Sequence, residues 1–317
     1  MMASSNHESW PDLPYDAWSD TRETLHLWTQ IVGKIRLGLT PWLNHSWHVP
    51  LYVSARGLTT SPIYYGHRSL EIAFDFHEHT LDFTTSEGDR RRMGLGPRTV
   101  AEFYDAVMTL LTEIGVTVKI TDLPSEIPGA IAFSHDRMHA AYDAEYVKRF
   151  CKVLIQADRV FKQFRTSFIG KSSPVHFFWG SFDLAVTRFS GRRAPQHPGG
   201  VPFLADAVVR EAYSHEVSSA GFWPGGSGFN QAAFYSYAYP EPRGFRTSSL
   251  EPSAAFFGEA LGEFLLPYDA VRTASDPDGT LLAFLNTTYE AAARSGKWDR
   301  GALECPPGVV GVPRPSP

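Results

Sequence analysis

The feature that most constrains the fold is an order of elements that repeats along the chain. Each half begins with an amphipathic helical segment, continues through apolar strand-like segments and ends with another helical segment. The helical segments, in which apolar residues recur every three to four positions, are residues 21–39, 99–115, 143–165 and 276–295. Between them, alternating stretches such as 72–83 predict hairpins with one buried face. The pattern predicts an α+β fold of two similar halves, each an antiparallel-rich sheet with flanking helices.

An offset of 128 residues brings the two halves into register. The aligned identical pairs are Lys34 with Lys162, His48 with His176, and Thr59 with Thr187. Element order matches better than residue identity, and it indicates an internal duplication. The predicted organisation is an N-terminal extension (1–20), a first half (21–140), a second half (141–304) and a disordered proline-rich tail (305–317). Two such halves predict a ligand cleft at their junction.

Composition narrows the class of protein. A chain of 317 residues with 43% hydrophobic and 20% charged residues is typical of a globular protein with a large core. A net charge of −5 argues against a nucleic-acid partner, which requires clustered excess Lys and Arg. The absence of a signal peptide and of a run of about 18 apolar residues argues against a membrane partner. With only two cysteines and no pairing framework, we expect a cytoplasmic protein.

The most informative stretch is VHFFWGSFDLAVTRF, residues 175–189, in which polar residues are embedded in an apolar segment. It predicts one buried strand, where an unpaired polar group costs about 2–7 kcal/mol. In a regular strand, His176 and Arg188 share one face and Asp183 lies on the other. A bulge at Gly180 reverses this arrangement. The residues that then share one face are His176, Ser181, Asp183 and Thr187.

Three blocks of sequence resemble a known family. They are TPWLNHSWHVPLYVSARGLTTSPI, SPVHFFWGSFDLAVTRFSGRRAPQHPGG and EAYSHEVSSAGFWPG. From about Trp28 to Glu304 the chain resembles an uncharacterised bacterial family, the domain of unknown function with series number five-nine-nine-six. The resemblance implies a bacterial source. It implies no activity, cofactor or catalytic residue, so the chemistry rests on the residues themselves.

The candidate catalytic residues are His176, Asp183, His215 and Glu216. Two imidazoles and a carboxylate leave coordination positions open for water or substrate, so His176 and His215 are candidate ligands of a divalent metal. Without a metal, the same histidines would serve as general base and acid, oriented by the carboxylates. The structural alternative is a hydrogen-bonded core network in which Asp183 pairs with Arg188 or Arg56.

Basic and aromatic residues form a second set, the candidate substrate-binding residues His48, Arg56, Trp179, Arg188 and Trp223. Guanidinium groups beside aromatic walls bind planar or anionic small molecules. No motif for an organic cofactor occurs, so a divalent metal is the one cofactor left open.

These observations predict a cytosolic small-molecule enzyme of the hydrolase or lyase type, with a cleft between two halves and with a metal as one option. The alternative is a non-catalytic module that binds an anionic or aromatic small molecule. A third interpretation is an interaction scaffold whose polar residues serve only the core. The sequence leaves the substrate and the oligomeric state open.

Overall fold

The computed structural model describes residues 9–226 and 228–314. Within these ranges it confirms an α+β fold with two antiparallel sheets of six strands each. No helix in the same ranges combines the length and the hydropathy needed to cross a membrane. The predicted extension (1–20) and tail (305–317) lie partly outside the described residues. Of the described part of the extension, Trp10 and Leu13 are buried in the core.

The first part of the chain forms helix α1 (Ser19–Leu39), six strands and helix α2 (Val100–Glu113). The strands are β1 (Tyr52–Val53), β2 (Gly57–Thr59), β3 (Ile63–Tyr65), β4 (Arg68–Asp75), β5 (Thr80–Thr85) and β6 (Arg90–Gly94). Their order is β1-β2-β4-β5-β6, with β3 also paired to β4. The predicted hairpin is confirmed, because β4 and β5 pair Ile72 with Phe83, and both side chains are buried.

The second part forms helix α3 (Ala144–Arg165), six strands and helix α6 (Pro277–Ser295). The strands are β7 (His176–Phe178), β8 (Asp183–Arg193), β9 (His215–Trp223), β10 (Ala233–Tyr239), β11 (Phe256–Gly258) and β12 (Glu263–Pro267). Their order is β11-β12-β10-β9-β8-β7. Short helices α4 (Asp206–Ala212), α5 (Tyr268–Arg272) and α7 (Arg300–Leu303) connect or follow these elements.

The single strand predicted over residues 175–189 is wrong. The chain turns at 179–182, and β7 pairs with β8 as a hairpin in which Phe178 lies opposite Asp183. Within the turn, Phe182 adopts a left-handed backbone with φ 61°. The hairpin nevertheless places His176 and Asp183 on the same face of the sheet, since His176 lies opposite Ala185, two residues from Asp183.

Two backbone hydrogen bonds join the sheets. The Leu51 amide donates to the Phe177 carbonyl at 2.9 Å, and the Phe177 amide donates to the Leu51 carbonyl at 2.7 Å. Leu51 directly precedes β1 and Phe177 lies in β7, so the edge strands of the two sheets meet here. Residues from both halves therefore come together around this junction.

The two faces of the second sheet differ in character. The apolar face consists of residues such as Leu184, Val186, Phe222, Phe234, Phe264 and Leu266, all buried. Helices α3 and α6 cover it. By strand alternation and register, the opposite face carries Asp183, Thr187, Ser219, Tyr235, Tyr237 and Glu263. We call these six residues the polar sheet face.

Helix α1 packs against the β7–β8 turn through a glycine. A Cβ added at Gly33 would lie 2.2 Å from the Trp179 ring. That ring is held in place, because its indole N–H donates to the Val49 carbonyl at 2.9 Å. Only the absence of a side chain at Gly33 lets the helix approach this closely.

Gly33→Ala should therefore destabilise the protein. Alanine gains about 1 kcal/mol in helix propensity. We expect the cost of overpacking against a fixed indole to exceed this gain, so that the free energy of unfolding decreases by about 1–3 kcal/mol. Urea unfolding measures the free energy of unfolding, with Gly94→Ala in β6 as the control, since a Cβ there meets open space. A Gly33→Ala protein as stable as the wild type would contradict this packing.

Candidate functional site

The Asp183 carboxyl lies on the polar sheet face, at the start of β8, and is 7% exposed. It accepts a hydrogen bond from the Tyr235 hydroxyl, which reaches it from β10 across β9. Gly221 makes this crossing possible, because a Cβ added there would lie 2.4 Å from the Tyr235 hydroxyl oxygen. The glycine on the middle strand thus permits a contact between residues two strands apart.

Two carboxyl groups in this region titrate near neutrality. Burial raises the pKa of Asp183 to about 7, and the charge of Glu126 raises it further, while the Tyr235 hydrogen bond opposes the shift. Burial, followed by the charge of Asp183, raises the pKa of Glu263 to about 7. Among the described residues, neither carboxyl has an ion pair with Lys or Arg that would restore an ordinary pKa.

Further tyrosine hydroxyls lie in the same region as these acids. The Tyr213 and Tyr237 hydroxyl oxygens lie 2.8 Å apart, in hydrogen-bonding contact. Burial is the main cause that raises the pKa of Tyr237 and of Tyr235 well above the ordinary value, so both phenols stay protonated and can donate. We call Asp183, Glu263, Tyr213, Tyr235 and Tyr237 the carboxylate–tyrosine cluster.

Helix α1 and the segment at 125–126 add a lysine and a third acid. Lys34 Nζ donates to Ser125 Oγ at 2.9 Å, and burial lowers the pKa of this lysine to about 8. Glu126 accepts a hydrogen bond from the Ser181 hydroxyl at 2.5 Å. Its backbone is left-handed, with φ 65°, a strained state that folds often retain at functional sites. The first part of the chain thus supplies one side of the site.

The chain between β8 and β9 covers the polar sheet face. The Glu126 amide donates to the Pro202 carbonyl at 2.9 Å, and the Tyr239 hydroxyl donates to the Pro195 carbonyl at 3.1 Å. The His197 ring stacks on Tyr213 with centroids 4.8 Å apart. These contacts hold residues 195–213 over β9 and β10, so the carboxylate–tyrosine cluster lies between the sheet and a loop.

Of the predicted catalytic residues, His176 and Asp183 come together. They are diagonal neighbours on the β7–β8 hairpin, a relation that separates Cβ atoms by about 7–8 Å. His176 is 1% exposed, and neither ring nitrogen has a hydrogen-bond partner. Burial lowers the pKa of His176 to about 3, so the ring is neutral at physiological pH.

His215 does not join them, which corrects the predicted metal pair. His176 lies opposite Ala185, and Ala185 lies opposite Gly221, six residues along β9 from His215. Six residues of strand span about 20 Å, too far for His176 and His215 to share one ion. Residues 9–226 and 228–314 also contain no group of three or more His, Cys, Asp or Glu arranged to hold a metal. The His215 ring instead packs near His45, with centroids 5.7 Å apart.

Glu216 and two arginines also lie outside the cluster. Glu216 accepts from Arg192 at 2.7 Å. Arg188 is on the apolar face, where its guanidinium stacks 3.5 Å from the Phe164 ring centroid, because the parity of β8 opposes Arg188 to Asp183. Arg56 is in an exposed turn and pairs with Asp75. The alternative pairing of Asp183 with either arginine is therefore not formed.

The remaining predicted binding residues have separate locations. Trp179 lies in the β7–β8 turn, with Lys34 Nζ 5.6 Å from its ring. Trp223 ends β9 and stacks with Phe229 at 6.0 Å. His48 is buried four residues before β1, next to Arg36, whose Nε donates to the His48 carbonyl at 2.8 Å.

Four residues of the carboxylate–tyrosine cluster and one neighbour were not predicted: Glu263, Tyr213, Tyr235, Tyr237 and Glu126. Glu263 had a usable signal, because it is a lone acid in the apolar strand segment GEFLLP. The alternation in FYSYAY likewise placed Tyr235 and Tyr237 on one face. Glu126 and Tyr213 lie in loops, and no local pattern connects them to the sheet.

Comparisons with known proteins support a family but no activity. A family model described as "Family of unknown function (DUF5996)" matches residues 10–305. This confirms the resemblance drawn from the three sequence blocks. No curated protein and no solved structure matches the chain.

The raised pKa of Asp183 predicts a pH-dependent effect of Asp183→Asn. Its folded pKa of about 7 exceeds the ordinary 3.8, so between these values the unfolded chain releases a proton that the folded protein retains. Wild-type stability is therefore lost as pH rises toward the folded pKa. Asparagine still accepts from Tyr235 but does not titrate. Between about pH 5 and pH 8, the free energy of unfolding of the variant should therefore increase by about 2–3 kcal/mol relative to that of the wild type.

Urea unfolding at several pH values measures this difference. Asp105→Asn is the matched control, because Asp105 is exposed on α2. A stability difference between Asp183→Asn and wild type that stays constant with pH would show that Asp183 titrates normally.

Proposed function

The chain belongs to this family of unknown function, and because the family description names no activity, we propose from the site geometry a small-molecule enzyme of the hydrolase or lyase type that uses general acid–base catalysis. One observation carries the proposal. Asp183 is a buried carboxyl with a pKa of about 7, oriented by Tyr235 and accompanied by Glu263 with a similar pKa. Acids and bases with a pKa near the working pH are the most effective in proton transfer.

The proposed roles follow from the environment of each group. Asp183, as the carboxylate, takes a proton from an attacking water or from a substrate carbon. Glu263, protonated, gives a proton to the leaving group, so the proton balance closes within the site. Tyr235 acts as a positioning residue for Asp183. Tyr237, which stays protonated, can donate a hydrogen bond to an oxygen that gains negative charge.

A cytoplasmic location is part of the proposal. It is supported by two free cysteines, Cys151 and Cys305, the first of which is buried. Free thiols are typical of a reducing compartment. A metal held by His176 and His215 is not part of the proposal, since the two side chains do not meet.

Variants of both acids test the proposed catalysis. The wild type is screened against 4-nitrophenyl esters and glycosides, with nitrophenolate release as the readout. Turnover should fall at least about 100-fold in Asp183→Asn and in Glu263→Gln, because general acid–base groups contribute that much or more. Glu259→Gln is the control, since Glu259 is exposed and pairs with Arg246. Turnover that survives both substitutions would rule out the assigned roles.

A non-catalytic binding module is the second candidate. The observation that favours it is the cover formed by residues 195–213, which would enclose a bound molecule. This alternative predicts small-molecule binding without turnover in the same screen.

A further inference from the structure

A buried arginine without an acid lies near the junction of the two sheets. Arg36, in helix α1, is 7% exposed, and among the described residues its side chain makes one hydrogen bond, from Nε to the His48 carbonyl. Its Nη1 atom has no hydrogen-bond partner. Among the described residues no carboxylate forms an ion pair with Arg36. A buried guanidinium without a counter-charge is costly, so an anion at Nη1 would stabilise it.

Two buried histidines beside Arg36 also have unpartnered ring nitrogens. His48 is 2% exposed, and its Nδ1 accepts from the Leu43 amide at 3.1 Å. The same Nδ1 also lies 3.3 Å from the Leu43 carbonyl oxygen. In the tautomer in which Nδ1 accepts from the amide, Nε2 carries the proton and is a donor without a partner. A neutral imidazole always carries one N–H, so His176, with neither nitrogen partnered, presents a second free donor.

The Tyr52 ring connects Arg36 with His176. The Arg36 guanidinium lies 5.4 Å from the Tyr52 ring centroid, and the Tyr52 and His176 ring centroids are 6.5 Å apart. The charges of Arg165 and Arg36 both reach His176 and help to lower its pKa. Arg165 Nε is buried and unpartnered as well. Glu211 is the acid whose negative charge raises the pKa of His48. Its carboxylate already accepts a hydrogen bond from the His45 amide at 2.9 Å.

We infer that Arg36, Arg165, His48 and His176 form an oxyanion site at the sheet junction, which binds the carboxylate or phosphate group of a small molecule. Arginine and neutral imidazole N–H groups together supply the directed donors that an oxyanion needs. His176 is a diagonal neighbour of Asp183, about 7–8 Å away between Cβ atoms. The site therefore names the substrate class of the proposed enzyme, an anionic small molecule, and in that respect rests on the proposed function.

Titration with inorganic phosphate and with acetate tests the site. Binding is followed by the amide and imidazole NMR shifts of the full chain, with His176 as the reporter. Both ions are expected to bind saturably, and stronger phosphate binding would indicate a phosphate-bearing ligand, whereas stronger acetate binding would indicate a carboxylate. Arg36→Gln and the partly exposed Arg165→Gln should each weaken binding at least about tenfold, the effect of losing a charged hydrogen bond.

The control is Arg92→Gln, an exposed arginine that pairs with Asp82 on the first sheet. The inference is overturned if neither ion binds wild type saturably, or if Arg165→Gln binds both ions as tightly as Arg92→Gln. The second comparison holds even where Arg36→Gln fails to fold. Intact ion binding together with turnover that survives the acid substitutions would overturn the proposed catalysis alone.

Discussion

Side-chain alternation along β8 is the constraint on which the site depends. Asp183 and Thr187 point to one face of the second sheet, and Leu184, Val186 and Arg188 point to the other. A shift of one residue would bring Asp183 into the apolar layer beneath α3 and would expose Leu184 to the polar layer. The tight turn at 179–182 sets this register, and Trp179 anchors the turn against α1. The packing of a first-half helix thus determines which second-half side chains reach the site.

In this part of the molecule the acidic and basic side chains lie apart, although pairing them would cost less free energy. Asp183 and Glu263 lie on the polar sheet face without a cation, whereas Arg36 is buried near the β1–β7 junction without an acid. An unpaired buried charge is costly, and removal of one partner from a buried pair typically costs about 3–5 kcal/mol. A fold optimised for stability alone would bring these groups together. Keeping them apart is the kind of local cost that proteins retain where a ligand supplies the missing partner.

Much of the fold could be predicted from the sequence because its signals are local. The helix predicted at 143–165 spans Ala144–Arg165, since its apolar stripe and the Asp143 cap both lie within it. The strand at 175–189 was mispredicted because an apolar run does not distinguish one strand from two joined by a turn. The site was harder to predict from the sequence. The apolar context of Asp183 marks it as a candidate, but the partners of a buried acid depend on long-range register. The sequence carries no signal for the distance between Asp183 and His215.

Helix α1 contributes side chains to both ends of the site. Lys34 donates to Ser125 next to Glu126, and Arg36, two residues on, donates to the carbonyl of His48. On a helix, residues two apart project about 200° from each other, so one element can serve two separate surroundings. The second sheet supplies Asp183 and His176, which are diagonal neighbours on the β7–β8 hairpin. Helix α1 and the β7–β8 hairpin together therefore place the acid-bearing end and the donor-bearing end of the proposed site next to each other, the arrangement that the proposed anionic substrate requires.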